Sequence, residues 1–313
     1  TRVERIELRD GRAQALQCVP VALNGDRAAG PGTRVVARHV VVAGGAINSP
    51  ALLLRSGLPD PHRRLGARTF LHPVVISAAR FDQRVEAWSG APQTIYSDHF
   101  LDVHAIDGPI GYKLEAPPIH PVIFATTLPG FGREMTDALA DLGHWHAQLA
   151  LLRDGFHPDA PGGQVRLRGD GSPLLDYPLT DFVLDGCRRA FASMAELQFA
   201  AGARVVSIAH ELATPWTTWT EARDAIAALP MKPLLARVFS AHVMGGCGMA
   251  ADDRRGVVRP DGRHWQVDNV SVHDGSLFPT SIGANPQLSI YGLVNKLATA
   301  LAKRLAGRDV TLA

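Results

Sequence analysis

Several features that would assign this chain to a specialised class are missing from its sequence. Only 3 cysteines occur among 313 residues, too few for a disulfide framework. No apolar run is long enough to cross a bilayer, and a net charge of +2 gives no broad cationic surface for nucleic acid. Neither a GxGxxG turn nor an HExxH motif occurs, so the sequence predicts no complete dinucleotide-binding unit and no bound metal. The remaining composition, with 46% hydrophobic and 20% charged residues, is that of an ordinary globular protein.

The N-terminal portion predicts a hairpin followed by a strand, a turn and a helix. An Asp-Gly pair at positions 10–11 suits a two-residue turn between strands. Residues 34–43 are rich in β-branched side chains and predict one buried strand, after which Gly44-Gly45 predicts a tight turn. Residues 46–57 then predict a helix that Gly57 terminates.

The rest of the chain predicts a second hairpin and two long helices. Residues 165–177 predict two strands around a Gly-Asp-Gly turn, and a helix is predicted from about 180 to 201, ending at Gly202. The last helix has apolar residues at the i, i+3, i+4, i+7 spacing of a packed helix: Ile290, Leu293, Val294, Leu297, Ala298, Leu301 and Leu305.

The stretch from His242 to Leu293 carries the strongest chemical signal. A histidine precedes a glycine-rich turn, and an Asn-Pro pair opens the last helix. Asn285 can cap that helix with its side chain, and Pro286 suits the first helical position. The free N–H groups and the positive end of the helix dipole would favour developing negative charge. A histidine near such a helix end could move a proton there.

These residues resemble the C-terminal signature of the glucose–methanol–choline (GMC) flavoprotein oxidoreductases. The family patterns are roughly H-x-x-G-T-C-R-M-G, V-D-x-S-x-F-P and N-P-x-x-T-I. The matching segments are His242-Val-Met-Gly-Gly-Cys-Gly-Met249, Asp274-Gly-Ser-Leu-Phe-Pro279 and Asn285-Pro-Gln-Leu-Ser-Ile290. Gly246 and Gly248 stand where the family usually has Thr and Arg, and we expect them to loosen the loop while leaving the histidine and the Asn-Pro pair intact.

Two earlier segments resemble the same family. Residues 43–57 are similar to the pattern A-G-G-A-x-x-S-P-x-L-L-x-x-S-G. Residues 66–73 are similar to G-x-x-L-x-x-H-P, and are most like the long-chain alcohol oxidase branch. Because several motifs occur in the family's order, an unrelated strand, turn and helix would not explain them together.

The resemblance implies a mixed fold of the α+β or α/β class. Residues 1–72 and 236–313 would form part of a Rossmann-like FAD-binding domain that lacks its N-terminal GxGxxG unit. Residues 73–235 would form an inserted substrate-binding domain of β-sheet and helices. Because the phosphate-binding turn is missing, we expect a partner, an N-terminal fragment or subunit that carries the GxGxxG motif. The absence of a secretory signal favours a cytoplasmic location.

The activity that the resemblance implies is oxidation of an alcohol CH–OH group to an aldehyde or ketone, by hydride transfer to flavin N5. His242 would act as the general base, since its ordinary pKa lies near neutrality. Asn285 would hydrogen-bond the substrate oxygen. The residues expected to bind FAD are Val3, Ala43, Gly44, Asn48, Asp274, Gly275, Pro286 and Gln287. Two alternatives remain open: a lyase or photodecarboxylase of the same fold, and a non-catalytic C-terminal subunit that completes a partner's flavin site.

Other polar and aromatic residues admit a structural interpretation as well as a functional one. His72 either approaches the flavin or is a satisfied polar residue in a loop. His273 lies beside Asp274, but neighbours on a strand face opposite sides and would not cooperate. The resemblance favours a hydrophobic or long-chain alcohol as the substrate. Four aromatic residues could line an apolar pocket for it, although a place in the core is the favoured interpretation of each: Trp88, Tyr96, Phe100 and Trp145.

Overall fold

The computed structural model describes residues 1–23, 28–91, 93–128 and 130–307. The strands are β1 (Arg2–Arg9), β2 (Arg12–Val19), β3 (Thr33–Val36), β4 (Val40–Val42), β5 (Ala67–Phe70), β6 (Val74–Arg80), β7 (Tyr96–Ser97), β8 (Tyr112–Glu115), β9 (Trp145–Leu152), β10 (Gly163–Leu167), β11 (Pro173–Asp176), β12 (Val205–Ile208), β13 (Met244–Gly245) and β14 (Val270–Val272). The helices are α1 (Gly45–Arg55), α2 (Pro121–Ala125), α3 (Arg133–Ala140), α4 (Asp181–Ala200), α5 (Trp219–Ala228) and α6 (Gln287–Ala306).

The chain divides into two compact units. Unit 1 comprises Thr1–Leu71, Gly162–Pro178 and His242–Ala313. Unit 2 comprises His72–Pro161 and Leu179–Ala241. The chain therefore crosses from one unit to the other four times.

In unit 1, β1 and β2 form the predicted hairpin. Its turn residues, Asp10 and Gly11, have φ angles of 49° and 71°. This left-handed conformation matches the twist of the flanking strands, which is why an Asp-Gly pair favours it. Arg9 pairs with Arg12 across the turn, and β3 extends the sheet beside β2.

The prediction of one buried strand over residues 34–43 is wrong. The segment forms two short strands, of which β3 is exposed along its whole length. β3 pairs with β2, whereas β4 pairs in parallel with β14, so the chain changes sheet between them. Only β4 directs side chains into the core, those of Val40 and Val42.

Helix α1 follows the Gly44-Gly45 turn, as predicted. Gly45 has a φ of 79°, which glycine adopts without steric cost. After the helix, Gly57 has a φ of 66° and the Leu58 N–H donates to the Leu53 carbonyl at 3.1 Å. This arrangement satisfies the last carbonyls of the helix and stops it. Leu53 packs with residues of β1, β4 and β14 in the core of unit 1: Ile6, Val40, Val42, Val270 and Val272.

A four-stranded sheet in the order β11-β10-β5-β13 also belongs to unit 1. β10 and β11 are the predicted hairpin. Because β10 pairs antiparallel with β5, the segment 162–178 lies in unit 1. The boundaries expected for the inserted domain, 73–235, differ from the observed division at this hairpin and at residues 236–241, which lie in unit 2.

Unit 2 contains a five-stranded antiparallel sheet in the order β12-β6-β9-β8-β7. Helix α4 covers one face of it and has the predicted ends. Thr180 caps the helix by accepting a hydrogen bond from the Val183 N–H, and Gly202, with a φ of 94°, follows its last turn. Its buried side chains include Leu184, Cys187, Phe191 and Met194, which pack with Val75, Ala150 and Leu152 of the sheet.

The four aromatic residues considered for a substrate wall separate into two pairs. Trp145 is buried, and Phe100 stacks on Tyr112 with ring centroids 5.2 Å apart. Trp88 and Tyr96 are exposed. Trp145 and Phe100 therefore stabilise the packing of unit 2.

Helix α6 forms as predicted, and six of the seven apolar positions on its predicted face are buried or half-buried. Of those positions only Leu297 is buried, and Leu305 is 43% exposed. Near the helix start, Leu288 and Tyr291 are 81% and 60% exposed. The apolar face of α6 therefore packs against unit 1, while Leu288 and Tyr291 lie on its exposed side. In the described ranges, no helix combines the length and apolar character needed to cross a membrane.

Candidate functional site

The carboxylate of Asp274 organises the predicted site in unit 1. One oxygen accepts hydrogen bonds from the Gly45 N–H, at 2.9 Å, and from the Ser49 hydroxyl. The other accepts from the Ser276 N–H, at 2.8 Å, and from the Ser276 hydroxyl. Asp274 is only 8% exposed, so these four donors compensate its charge. The residue ties the turn before α1 to the 3₁₀ turn Gly275–Leu277, which follows β14.

Ser49 and Ser276 hold the Asp274 carboxylate, and the sequence interpretation missed both. The Ser49 hydroxyl oxygen also accepts a hydrogen bond from the Gly44 N–H at 2.8 Å, and its hydroxyl donates to Asp274. Ser49 thus holds Gly44 directly and is linked to Gly45 through the Asp274 carboxylate. The local Asp-x-Ser pattern could have indicated the contact between Asp274 and Ser276. The contact with Ser49 spans 225 positions and has no local signal.

The backbone at Asp274 and Gly275 is better suited to a cofactor than the carboxylate. Both carboxylate oxygens are engaged by protein donors. Within the described ranges, the N–H groups of Asp274 and Gly275 have no hydrogen-bond acceptor, although both residues are buried. Backbone N–H groups without an acceptor in the chain are able to bind an anion. Any cofactor contact at these positions therefore falls to the backbone.

Four of the residues predicted to bind FAD line one cavity of unit 1. The cavity measures about 750 Å³, within the range of small-molecule and cofactor sites. Val3, Ala43, Gly44 and Asn48 lie on its wall. The wall also includes Arg2, Glu4, Val41, Val42, Leu52, Arg55 and Asp170. The carboxyl end of β4 and the first turn of α1 thus meet at the cavity, the place where α/β proteins bind nucleotides.

The glycine-rich loop after His242 is tightly packed, contrary to the expectation that its glycines loosen it. Gly246 has a φ of 92°, and a Cβ atom there would lie 2.8 Å from Thr69 Oγ1. Its carbonyl accepts from the Gly66 N–H at 2.7 Å, so the loop is fixed against β5. Gly248 differs, because a Cβ atom at that position would have no neighbour within 4 Å. Glycine is therefore required at position 246 and not at 248.

Gly275 brings the His242 segment next to the start of α6. A Cβ atom on Gly275 would lie 3.6 Å from the Val243 oxygen and 3.2 Å from Ile290 Cδ1. Val243 directly follows His242, and Ile290 lies in the first turn of α6. The three motifs of the C-terminal signature therefore meet around one residue.

Helix α6 starts at the Asn285-Pro286 pair, as the sequence predicts. Pro286 occupies the N-cap position, because its carbonyl accepts the first helical hydrogen bond, from the Ile290 N–H at 2.8 Å. The N-cap residue makes no side-chain capping bond. Because Pro286 already has helical φ and ψ angles of −84° and −7°, Asn285 is the residue that directly precedes the helical conformation. Asn285 precedes the cap and is half-buried, and the N–H groups of residues 287–289 have no acceptor within the helix.

Two other histidines considered for the site, His72 and His273, are buried. His273 is buried and its pKa is lowered by that burial, while both oxygens of Asp274 bond to other donors. His72 is buried in unit 2, where its backbone N–H donates to Asp154 at 3.2 Å. Burial also lowers the pKa of a further histidine, His146 of β9 in unit 2, which favours a neutral imidazole near pH 7.

Two family models with the description GMC oxidoreductase match this chain, one over residues 1–74 and one over residues 158–293. An uncharacterized GMC-type oxidoreductase of Mycobacterium tuberculosis is 32% identical over 310 residues, covering 98% of this chain and 45% of that protein. A long-chain-alcohol oxidase of Arabidopsis thaliana is 26% identical over 275 residues, covering 83% of this chain and 36% of that protein. The chain spans less than half the length of these two curated relatives.

Solved structures share the fold at low sequence identity. A pyridoxine 4-oxidase from Mesorbium loti aligns with a TM-score of 0.60 and 18% identity, over 96% of this chain and 57% of that one. A variant of the formate oxidase from Aspergillus oryzae aligns with a TM-score of 0.66 and 16% identity, over 97% of this chain and 60% of that one. At these identities the likeness concerns the fold alone.

Proposed function

Because this chain belongs to the GMC oxidoreductase family, a family of FAD-binding proteins, we propose that it oxidises the CH–OH group of an alcohol to an aldehyde or ketone. The observation that carries the proposal is the meeting of the His242 segment and the start of α6 at Gly275. This arrangement brings the segment that carries a proton acceptor close to a helix end that favours negative charge.

Residues of unit 1 would hold FAD, which supplies the hydride acceptor when bound. Val3, Ala43, Gly44 and Asn48 would contact it from the wall of the 750 Å³ cavity. The unpaired backbone donors at Asp274 and Gly275 suit its phosphate oxygens, because a dipole-bearing N–H group binds an anion without a counter-charge. The Asp274 carboxylate would position this backbone and would not touch the cofactor.

His242 would accept the proton of the substrate hydroxyl. A positioned general base of this kind contributes roughly 10²–10⁴-fold to rate. Asn285 would hold the same oxygen through its side-chain amide, which stays neutral throughout. The free N–H groups of Gln287, Leu288 and Ser289 at the start of α6, with Pro286 as the cap, would stabilise the negative charge that develops nearby.

The substrate class proposed here is an apolar, long-chain alcohol. Its support is the similarity to long-chain-alcohol oxidases of Arabidopsis thaliana, at 26% and 25% identity.

A phosphate-binding turn would have to complete the FAD site. β4 pairs with β14 in a sheet of two parallel strands within the described ranges. Parallel strands are normally covered on both faces and extended by neighbours. We propose that a GxGxxG-bearing segment, from the same protein or from a second polypeptide, extends this sheet and brings the missing turn.

The location of the protein is proposed to be the cytoplasm.

The test of the proposed reaction is anaerobic reduction of the bound flavin. Protein that carries FAD would be mixed with 1-dodecanol, and the loss of flavin absorbance would be followed. Oxidation of the alcohol requires bleaching at a rate that depends on alcohol concentration. A flavin that stays oxidised would contradict the proposal. Light-dependent loss of carbon dioxide from a fatty acid would then indicate a photodecarboxylase, and cleavage of a hydroxynitrile would indicate a lyase.

A further inference from the structure

A cavity in unit 2 lies between the last turn of α4, the end of β6 and the start of β9. It measures about 250 Å³, and it is separate from the proposed FAD cavity, which belongs to unit 1. Both apolar and polar side chains line it, although the interface between α4 and the sheet is largely apolar. The apolar ones include Phe81, Val85 and Leu197, and the polar ones include His146, Gln148 and Gln198.

Gln148 is a polar side chain that lacks a partner in the interface between α4 and the sheet. The neighbouring polar pair is satisfied, because Ser77 Oγ donates to Gln198 Oε1 at 2.6 Å and Gln198 Nε2 donates to the Ser77 carbonyl at 3.4 Å. Gln148 lies directly opposite Ser77, on β9. Its Oε1 is buried and accepts no hydrogen bond from the described residues. Because a buried polar atom without a partner costs stability, packing alone does not explain a glutamine at this position.

His146 and Gln148 together offer hydrogen-bond donors and acceptors to an occupant of the cavity. They are two positions apart on β9, so their side chains point to the same face of the sheet. Rotation of the Gln148 amide exchanges its oxygen and its nitrogen, so either atom can face the cavity. The His146 ring makes no hydrogen bond to the described residues, and burial lowers its pKa. The ring is therefore neutral near pH 7, with one donor and one acceptor nitrogen.

The charge of the wall favours a neutral ligand with a hydroxyl group. The described residues that line the cavity include no Lys, Arg, Asp or Glu, so an ionic ligand would find no counter-charge there. A hydroxyl group both donates and accepts a hydrogen bond, which matches the His146 ring and the Gln148 amide.

The size of the cavity and its aromatic wall favour a single ring. A cavity of about 150 Å³ accommodates benzene, so 250 Å³ has room for one ring with a small substituent. The Phe81 and His146 rings lie edge to face, with centroids 6.4 Å apart and planes at 81°. Aromatic rings attract one another in this arrangement, so a third ring would add to the same cluster.

We propose that this cavity binds a small phenol, a neutral molecule with one aromatic ring and one hydroxyl group. The hydroxyl would donate to one of His146 and Gln148 and accept from the other, while the ring would contact Phe81 and the apolar wall. The bound ligand would thus give the Gln148 amide the partner that the described residues do not supply. The inference is independent of the proposed oxidation, because the cavity lies in unit 2 and involves neither FAD nor the alcohol.

The first test follows phenol binding by calorimetry and by the ring-proton NMR signals of the histidines. Phenol should bind with a Kd on the order of 0.1–1 mM, as expected for so small a ligand. It should shift the His146 signal, which is identified by its loss in His146→Phe, and leave the flavin spectrum unchanged. Fluorobenzene, of similar size but without a hydroxyl, should bind roughly 3–10-fold more weakly, and the benzoate anion should bind more weakly still.

Two results of this titration would overturn the proposal. One is the absence of saturable phenol binding below about 10 mM, which would also be the outcome if another protein segment filled the cavity. The other is binding that leaves the His146 signal in place, because it would locate the phenol elsewhere on the protein. His104→Phe is the control for His146→Phe, since His104 is exposed, and it should bind phenol as the wild type does.

Gln148→Leu separates a role in binding from a role in folding. The substitution removes the unpartnered oxygen, so Tm in the absence of phenol should not fall. The preference for phenol over fluorobenzene should shrink by at least about threefold, because one hydrogen-bonding partner of the hydroxyl is lost. Gln14→Leu is the matched control, since Gln14 is exposed on β2 in unit 1, and it should keep the full preference. If Gln148→Leu retains the wild-type preference for phenol, the proposal is wrong, whatever its Tm.

Discussion

Replacing Asp274 with Asn tests the hydrogen-bonded centre of the site. The substitution keeps the shape of the side chain but leaves one acceptor oxygen where there were two. Whichever way the amide turns, its NH₂ group faces one backbone donor, the Gly45 N–H at 2.9 Å or the Ser276 N–H at 2.8 Å. A serine hydroxyl can rotate to accept a bond instead, whereas a backbone N–H cannot. One buried donor is therefore left without an acceptor.

The size of the effect follows from these contacts. A hydrogen bond to a charged group contributes about 1.5–3 kcal/mol, and a buried donor left unsatisfied costs about 1–3 kcal/mol. Since such terms do not add fully, we expect a loss of about 3–4 kcal/mol, a large part of a typical total of about 5–15 kcal/mol. In a domain of about 150–250 residues this lowers Tm by roughly 6–16 °C.

Calorimetry of Asp274→Asn beside Asp10→Asn provides the measurement. Asp10 is a fair control because its side chain is 90% exposed and Asn tolerates its left-handed turn position. The control should change Tm by no more than about 2 °C, as expected for an exposed surface position. If Asp274→Asn unfolds within 2 °C of the control, the carboxylate is not the buried centre that its four donors indicate.

Three further predictions concern the loop, a buried histidine and two thiols. Gly246→Ala should lower the free energy of unfolding in urea by about 2–4 kcal/mol, because position 246 has a left-handed φ and a Cβ there would contact β5. Gly248→Ala should change this free energy little, and equal effects of the two substitutions would contradict the packing described for the loop. Burial lowers the pKa of His264 to about 4, and an unfolded histidine titrates near 6.5, so stability should fall as the pH drops from about 6.5 to 4. Between pH 7.5 and 5 this loss should be about 2 kcal/mol, and His264→Gln should show a shallower pH dependence of its urea midpoint than the wild type. Burial raises the pKa of Cys187 to about 12 and also raises the pKa of Cys247. Ellman's reagent at pH 8 should therefore modify neither thiol in the native protein, and both after denaturation. Rapid labelling of the native protein would contradict this, because it would show that the thiols are accessible.

Local chemistry made part of the fold predictable. Glycines that follow a helical pattern mark its end because they adopt positive φ without a steric penalty, and Gly57 and Gly202 both do so. The Asp10-Gly11 turn follows from the same freedom at two successive positions. Each of these features depends on residues within a few positions of one another.

Pairing between distant segments could not be predicted in this way. Residues 162–178 belong to unit 1 because β10 pairs with β5, which lies about a hundred positions earlier. The hydrogen bond between Ser49 and Asp274 is likewise visible only once the chain is folded. The need for glycine at 246 arises from Thr69 on another strand, so a comparison of motifs alone suggested a looser loop than the structure has.

Motifs in the sequence predicted several residues of the proposed site. Val3, Ala43, Gly44 and Asn48 come from separate motif positions and line one cavity. The start of α6 at the Asn285-Pro286 pair was predictable because proline suits the beginning of a helix, and the Pro286 carbonyl accepts the first helical hydrogen bond from the Ile290 N–H.

The rate of flavin reduction in His242→Ala tests the central claim most directly. Protein that carries FAD would be mixed anaerobically with 1-dodecanol in a stopped-flow instrument. His62→Ala serves as the control, because His62 is exposed and its 3.6 Å contact with Asp253 lies outside the proposed site. With His242 as the proton acceptor, reduction should slow by roughly 10²–10⁴-fold in His242→Ala and remain unchanged in His62→Ala, while both variants retain FAD. Reduction of His242→Ala at the wild-type rate would contradict the proposed mechanism.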